Sequence, residues 1–199
     1  MIKEQSLRRL SSLNAPKSLL ITSRGLTRWF AAAALMLGIT AIDFISLAKA
    51  SELIPVAQAQ EAPLLNQSLP DMKGGQISLV DLKGKVVLVD FWASWCGPCR
   101  ESFPWMNSVQ EKYAAQGLVV VGINLDQQPK DAEAFLKQVP ANFTLLQDNK
   151  AVLPEAYGLI GMPSSYLLDR QGRLRATHTG FHISRVKEYE TSIQQLLAE

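Results

Sequence analysis

Residues 86–99 read VVLVDFWASWCGPC, and the order of features within them decides the fold class. Val86 to Trp92 is a nearly continuous apolar run with β-branched side chains, the pattern of a strand covered on both faces. Behind it, Phe103, Met106, Val109 and Tyr113 recur at helical spacing, which predicts a helix from about Pro98 to Ala115 ended by Gly117. Pro104 inside that helix predicts a kink. Cys96 and Cys99 lie between strand and helix. A helix start presents unpaired backbone N–H groups and the positive end of the peptide dipole, and both stabilise a thiolate on Cys96. Cys99, three residues on, is close enough to attack a mixed disulfide. Gly97 lets the loop turn tightly, and Pro98 is tolerated in the first turn because its missing N–H has no partner to lose.

Other readings of the two cysteines fit less well. A structural bridge across three helical residues constrains almost nothing. A thiolate metal site needs a second ligand pair, and the chain has 2 Cys and 2 His in all. No metal or cofactor is therefore expected. A peroxidatic cysteine would want a hydroxyl three positions upstream, where Ala93 stands. A C-x-x-C after a strand and opening a helix reads as a redox pair.

Working outward, the flanking segments alternate strand and helix. Gln76 to Val80 reads as a short strand followed by the turn Asp81-Leu82-Lys83-Gly84, and Leu118 to Asn124 (LVVVGIN) as a second buried strand. Asp131 to Val139 reads as a short helix, Phe143 to Leu146 as a third strand, and Val152 to Tyr157 as a helical turn. Ser165–Leu168 and Leu174–His178 form a hairpin around Asp169-Arg170-Gln171-Gly172. A last helix runs from about Ser184, as N-cap, to Leu197, with Val186, Tyr189, Ile193 and Leu196 inward. Alternating βαβ followed by a hairpin and a helix predicts an α/β fold, with a central mixed sheet and helices on both faces.

The 199 residues suit one domain plus an extension, and 47% hydrophobic content can bury a core. The net charge of +2 is concentrated at one end. Residues 1–42 carry six basic side chains against Glu4, while residues 60–199 carry 13 basic and 15 acidic ones. The folded part is near neutral, so no nucleic-acid partner is expected. Trp29 to Ile42 is free of charge, a length suited to the apolar stretch of a secretory signal, and Ala48-Lys49-Ala50 or Ala57-Gln58-Ala59 offers a cleavage site. An uncleaved anchor with a basic cytoplasmic flank reads equally well. Residues 1–50 are thus a signal peptide or an N-terminal membrane anchor, residues 51–63 a linker, and residues 64–199 the domain. Either leader places the domain in the periplasm or another extracytoplasmic compartment, soluble or held at the inner membrane.

VLVDFWASWCGPCR resembles the active-site segment of thioredoxins, and Tyr157-Gly158-Leu159-Ile160-Gly161-Met162-Pro163 resembles their cis-proline loop. The leader and the extra segment between Asp126 and Tyr157 resemble the exported TlpA/ResA-like thiol-disulfide oxidoreductases, which insert a helix and a strand into the thioredoxin fold. The resemblance covers about Leu64 to Leu197. It implies that Cys96 attacks and Cys99 resolves, that Met162-Pro163 is cis and faces them, and that the Met162 backbone holds an extended peptide. Trp95, Gly97 and Pro98 would share that substrate surface. It also implies protein disulfide substrates, apocytochrome c among them, and a membrane donor of reducing equivalents.

Asp90 is costly to bury inside VVLVDFW unless protonated or hydrogen-bonded. The resemblance implies a proton acceptor for Cys99; the plainer reading is an aspartate satisfied by backbone or water. Two departures from the pattern bear on that role. Gly122 stands where thioredoxins pair this aspartate with lysine, and Ser102 stands where many TlpA/ResA-like proteins carry glutamate, Glu101 lying one residue earlier. Trp92, Phe103, Trp105 and Met106 read as packing residues, Arg100 as a source of positive potential near Cys96, and His178 and His182 as structural or surface residues without a role. Gly and Pro between the cysteines donate no side-chain hydrogen bond, which predicts a modestly lowered Cys96 pKa and a reducing couple. A net oxidase or isomerase, and a non-catalytic peptide clamp using the cis-proline groove, are the alternatives.

Overall fold

The computed structural model describes residues 53–199; the expected leader, with its signal and anchor readings, lies outside them. The strands are β1 (Ser68–Pro70), β2 (Gln76–Ser78), β3 (Val86–Trp92), β4 (Leu118–Asn124), β5 (Thr144–Gln147), β6 (Ser164–Leu168) and β7 (Leu174–Thr179). The helices are α1 (Cys99–Tyr113), α2 (Pro129–Leu136), α3 (Val152–Ala156) and α4 (Val186–Ala198). Five strands form one sheet in the order β5-β4-β3-β6-β7, and β1 and β2 form a separate hairpin. β3, β4 and β5 run parallel, and β6 and β7 are antiparallel to their neighbours. The expected mixed α/β architecture with helices on both faces is the one that forms.

Every residue of β3 is buried, because the sheet is covered on both sides. Val86, Leu88 and Trp92 point to a layer with Cys99, Phe103 and Met106 of α1, Phe135 of α2, and Ile193 and Leu196 of α4. Val87, Val89 and Phe91 point to the other layer, with Leu153 of α3, Tyr157, Tyr166 and Leu69. The period of two along β3 thus sorts its side chains between two cores. The inserted α2 and β5 extend the sheet beyond β4 and lay Phe135 and Phe143 against Phe103.

Several boundaries differ from the sequence expectations. β2 stops at Ser78 because the Asp81 carboxylate accepts the Ser78 N–H at 2.9 Å, and Leu79–Leu82 winds into a 3-10 turn instead. β1 was not expected; its Pro70 is tolerated in a two-stranded edge pair. Ser184 does not cap the last helix: it lies in the 3-10 turn Ile183–Arg185, with Arg185 directly ahead of α4. Val186 is only half-buried, and Ser192 takes an inward place, its hydroxyl donating to Glu188 O. α1 runs unbroken through Pro104. Gly117 closes the α1 region at φ +101°, a left-handed conformation that a side chain would strain. Residues 53–63 contain no helix and hydrogen-bond along the outer edge of β7, with a bridge between Glu61 and Arg173.

Candidate active site

β3 ends at Trp92, and Ala93 to Pro98 form the loop that leads into α1. The loop closes on itself: Cys96 N–H donates to Ala93 O at 3.1 Å, and Arg100 N–H to Gly97 O at 3.1 Å. Helix geometry begins at Cys99, so Cys96 sits just ahead of the helix mouth. The two sulfurs are joined in a disulfide, with Cα atoms 5.4 Å apart. The Cys99 backbone N–H donates to Cys96 Sγ at 3.3 Å. That contact is the helix-start N–H the sequence led one to expect, aimed at the sulfur it would stabilise as a thiolate. Cys96 is 5% exposed and Cys99 is fully buried, so only Cys96 can be reached from outside.

Cys96 lies on an open groove of about 460 Å³ lined by Trp95, Gly97, Pro98, Leu159, Ile160, Gly161 and Met162. Trp95 is 71% exposed and Ile160 87%. Large apolar groups left in water beside a reactive atom form a surface suited to another chain. The Met162-Pro163 bond is cis. Pro163 is buried behind the groove wall, its carbonyl accepting the Gly180 N–H at 2.8 Å. Among the described residues, no group of three or more His, Cys, Asp or Glu side chains is placed to hold a metal ion.

Asp90 occupies the centre of a cross-strand row. Its neighbours are Gly122 on β4 and Ser165 on β6, and His178 of β7 lies next to Ser165. Ser165 Oγ donates to Asp90 Oδ2 at 2.6 Å, and Asp90 Oδ1 has no partner among the described residues. Burial pushes the carboxyl up to about 7, and the Ser165 hydrogen bond opposes that only in part. Asp90 shares the face of β3 that carries Leu88 and Trp92, the face covered by α1 and Cys99. Gly122 is fixed by packing: a Cβ there would lie 3.0 Å from Leu145 Cδ2 and 3.1 Å from Phe143 Cε2. The inserted segment therefore fills the space a lysine would need.

Of the remaining candidates, Trp92 is buried against Phe103 and Phe135 at 5.0 Å each. Phe103 and Met106 are fully buried, and Trp105 packs on Phe181 and Tyr189. Arg100 turns over the Phe135 ring at 4.9 Å. Ser102 is buried with its hydroxyl on Cys99 O, while Glu101 is exposed. His182 is exposed, but His178 is buried at 5% exposure, its Nδ1 has no hydrogen-bond partner among the described residues, and burial pushes its pKa down. Three residues at the site carried no expectation: Ser165, and the pair Ser94 and Asp126 at the root of the cysteine loop. The signal for Asp126 was an acid two residues past Asn124, immediately after a continuous buried strand.

Known proteins resemble this chain in sequence and fold. The AhpC/TSA family model matches residues 59–177. A thiol-disulfide oxidoreductase ResA of Bacillus thuringiensis is 34% identical over 115 residues, which is 58% of this chain and 65% of that protein's length. A thioredoxin-like protein YneN of Bacillus subtilis is 35% identical over 130 residues, 64% of this chain and 74% of that protein. A solved structure described as a thiol:disulfide interchange protein DsbE of Chlorobium tepidum superposes with a TM-score of 0.67 at 47% identity, covering 70% of this chain and 96% of that one. A helix-mouth C-x-x-C, a cis-proline loop and an inserted helix and strand on a mixed sheet thus accompany a match to more than half the sequence, and the chain belongs to the AhpC/TSA family of thioredoxin-like proteins.

Proposed function

We propose that this chain is an exported thiol-disulfide oxidoreductase that reduces disulfides in client proteins. The observation that carries the reading is Cys96 itself: a sulfur at the mouth of α1, accepting the Cys99 N–H, at the edge of an open apolar groove. In the reduced protein the Cys96 thiolate attacks one sulfur of the client disulfide. The client S–S bond breaks, its leaving sulfur takes a proton, and a mixed disulfide forms. Cys99 then loses its proton to Asp90 and attacks Cys96 Sγ, releasing the second client thiol and leaving the Cys96–Cys99 disulfide. Two electrons pass from the protein to the client, with one proton supplied by Cys99 by way of Asp90 and the other by solvent, which took up the Cys96 proton when that thiol ionised. The raised pKa of Asp90 suits a base that must take up a proton near neutral pH.

The groove wall of Leu159, Ile160 and Met162 opposite Trp95 and Pro98 suits an extended peptide on either side of the client cysteine. With Gly97 and Pro98 between the thiols, the Cys96 thiolate receives little stabilisation beyond the helix mouth, which favours a reducing couple. Residues 1–50 export the chain, residues 51–63 join the leader to the domain, and a membrane donor of reducing equivalents recharges the pair. Apocytochrome c thiols are a fitting client class.

Trapping tests the reading. Cys99→Ser should accumulate mixed disulfides through Cys96, identified by mass spectrometry, while wild type shows a reversible two-electron transition between dithiol and disulfide. Client turnover that survives replacement of both cysteines by serine would overturn it.

A further inference from the structure

Asp126 follows β4 and is 3% exposed. Its Oδ2 accepts the Ser94 backbone N–H at 2.9 Å and Asn124 Nδ2 at 2.8 Å, and its Oδ1 accepts Ser94 Oγ at 2.9 Å. Every one of these bonds is accepted, the bonding of an ionised carboxylate. Ser94 stands two residues before Cys96, so two of the three bonds grip the root of the cysteine loop.

The same network reaches the opposite wall of the groove. Asn124 Oδ1 accepts the Asp126 N–H and Gln147 Nε2, and Gln147 also donates to Asp126 O. Asp148 N–H donates to Asn124 O, and its carboxylate accepts the N–H groups of Val152 and Leu153 at the start of α3. From α3 the chain runs directly into Leu159–Met162. A connected set of buried and part-buried hydrogen bonds thus ties both walls to the ends of β4 and β5.

Asp126 also places a negative charge, shielded from water, at the base of the loop that carries Cys96. Such a charge disfavours a second anion nearby and opposes the helix mouth. The other charged groups around Cys96 have their own settings. Asp90 lies on β3 beneath α1, Arg100 is turned over Phe135, Glu101 is exposed, Asp148 faces the start of α3, and residues 159–163 carry no charge.

We propose that Asp126 is a positioning residue for the redox pair: it anchors the Cys96 loop through Ser94, and its charge holds back the acidity of the Cys96 thiol. The proposal rests on Cys96 being the attacking sulfur. Asp126→Asn separates charge from anchoring. An amide oxygen in the place of Oδ2 accepts both N–H groups, and the amide NH2 in the place of Oδ1 faces a hydroxyl that can turn to accept.

The test titrates Cys96 in the full chain, in mild detergent, by the ultraviolet absorbance of its thiolate. Cys99→Ser serves as background, so that a single thiol reports. With Asp126→Asn added, the midpoint should fall by roughly one pH unit. Alkylation below the midpoint should then be about three- to fourfold faster, the roughly tenfold gain in thiolate being partly offset by its lower nucleophilicity. In the two-cysteine protein, Asp126→Asn should shift the couple toward a more oxidising potential, while Ser94→Ala, which keeps the charge, should leave the titration in place. Should the asparagine variant not fold, Asp126→Ser keeps an acceptor oxygen without the charge and gives the same comparison. An unchanged midpoint in a folded uncharged variant, or an equal shift in Ser94→Ala, overturns the proposal. A wild-type protein lacking any reversible dithiol transition would instead overturn the functional reading itself.

Discussion

Asp90 carries a cost that depends on pH, because β3 is buried at that point on both faces. Well below pH 3.8 its carboxyl is neutral in the folded and unfolded chain alike. Between 3.8 and about 7 it is ionised only when unfolded, so the folded state loses relative stability as pH rises through that window and loses no more above it. The full difference is on the order of 4 kcal/mol. Asp90→Asn keeps an acceptor for Ser165 Oγ and removes the titration. The stability gap between this variant and wild type, from urea unfolding of the oxidised proteins, should widen in the variant's favour by roughly 2 to 4 kcal/mol between pH 4 and pH 7. A gap that does not change with pH would show that the carboxyl titrates normally. The burial of Asp90 was legible from VVLVDFW. Its partner was not, since Ser165 is 75 residues away and reaches it only through the register of β3 on β6.

The inserted α2 and β5 do for the site what a bare sheet edge could not. Phe135, 2% exposed, stands 5.0 Å from Trp92 and 5.1 Å from Phe103, directly under the cysteine loop and the first turns of α1. Phe135→Ala would leave a cavity there and remove the ring beneath Arg100. The expected loss is about 3 to 5 kcal/mol, measured by chemical unfolding, with a lower thermal midpoint. A loss under 1 kcal/mol would mean that α2 packs independently of the site. β3 and β4 were legible as nearly continuous apolar runs of strand length, and α1 because its buried side chains recur at a period of about 3.6 over several turns. β1, the 3-10 turn after β2 and the start of α4 were not, because single hydrogen bonds or pairings set them, such as Asp81 to Ser78 N–H. The site divides in the same way. The cysteine loop declares itself within five residues, whereas the Ser94–Asp126 clamp spans 32 positions and exists only once β3 and β4 lie side by side.

At the scale of the molecule, Arg175 of β7 joins segments that are far apart in the chain. It is 3% exposed; its Nε donates to Ile54 O at 2.6 Å, and Nη1 and Nη2 form a paired contact with Glu199 at 2.6 and 2.8 Å. Asp169 lies 3.5 Å from the same guanidinium. Ile54 N–H returns to Arg175 O, Leu174 N–H donates to Gln60 O, and Ala62 N–H donates to Gly172 O. Residues 54–62 therefore cover the outer edge of β7, which would otherwise present unpaired backbone to any passing strand. Arg175→Met keeps the apolar stem and removes the hydrogen bonds. Amide exchange across residues 54–62 should accelerate at least about tenfold, the equivalent of one charge-assisted bond of about 1.5 kcal/mol, while the Cys96 titration stays where it is. Glu199 supplies an acid control. The Arg175 hydrogen bonds hold its carboxyl below the usual range, so the stabilisation is present above the unfolded value of 4.5 and fades as pH falls through the lower folded value. Wild type and Arg175→Met should accordingly converge in exchange rate as the solution is acidified below pH 4.5. If they stay equally far apart there, the anchoring of residues 54–62 comes from the Ile54 contact alone and owes nothing to Glu199.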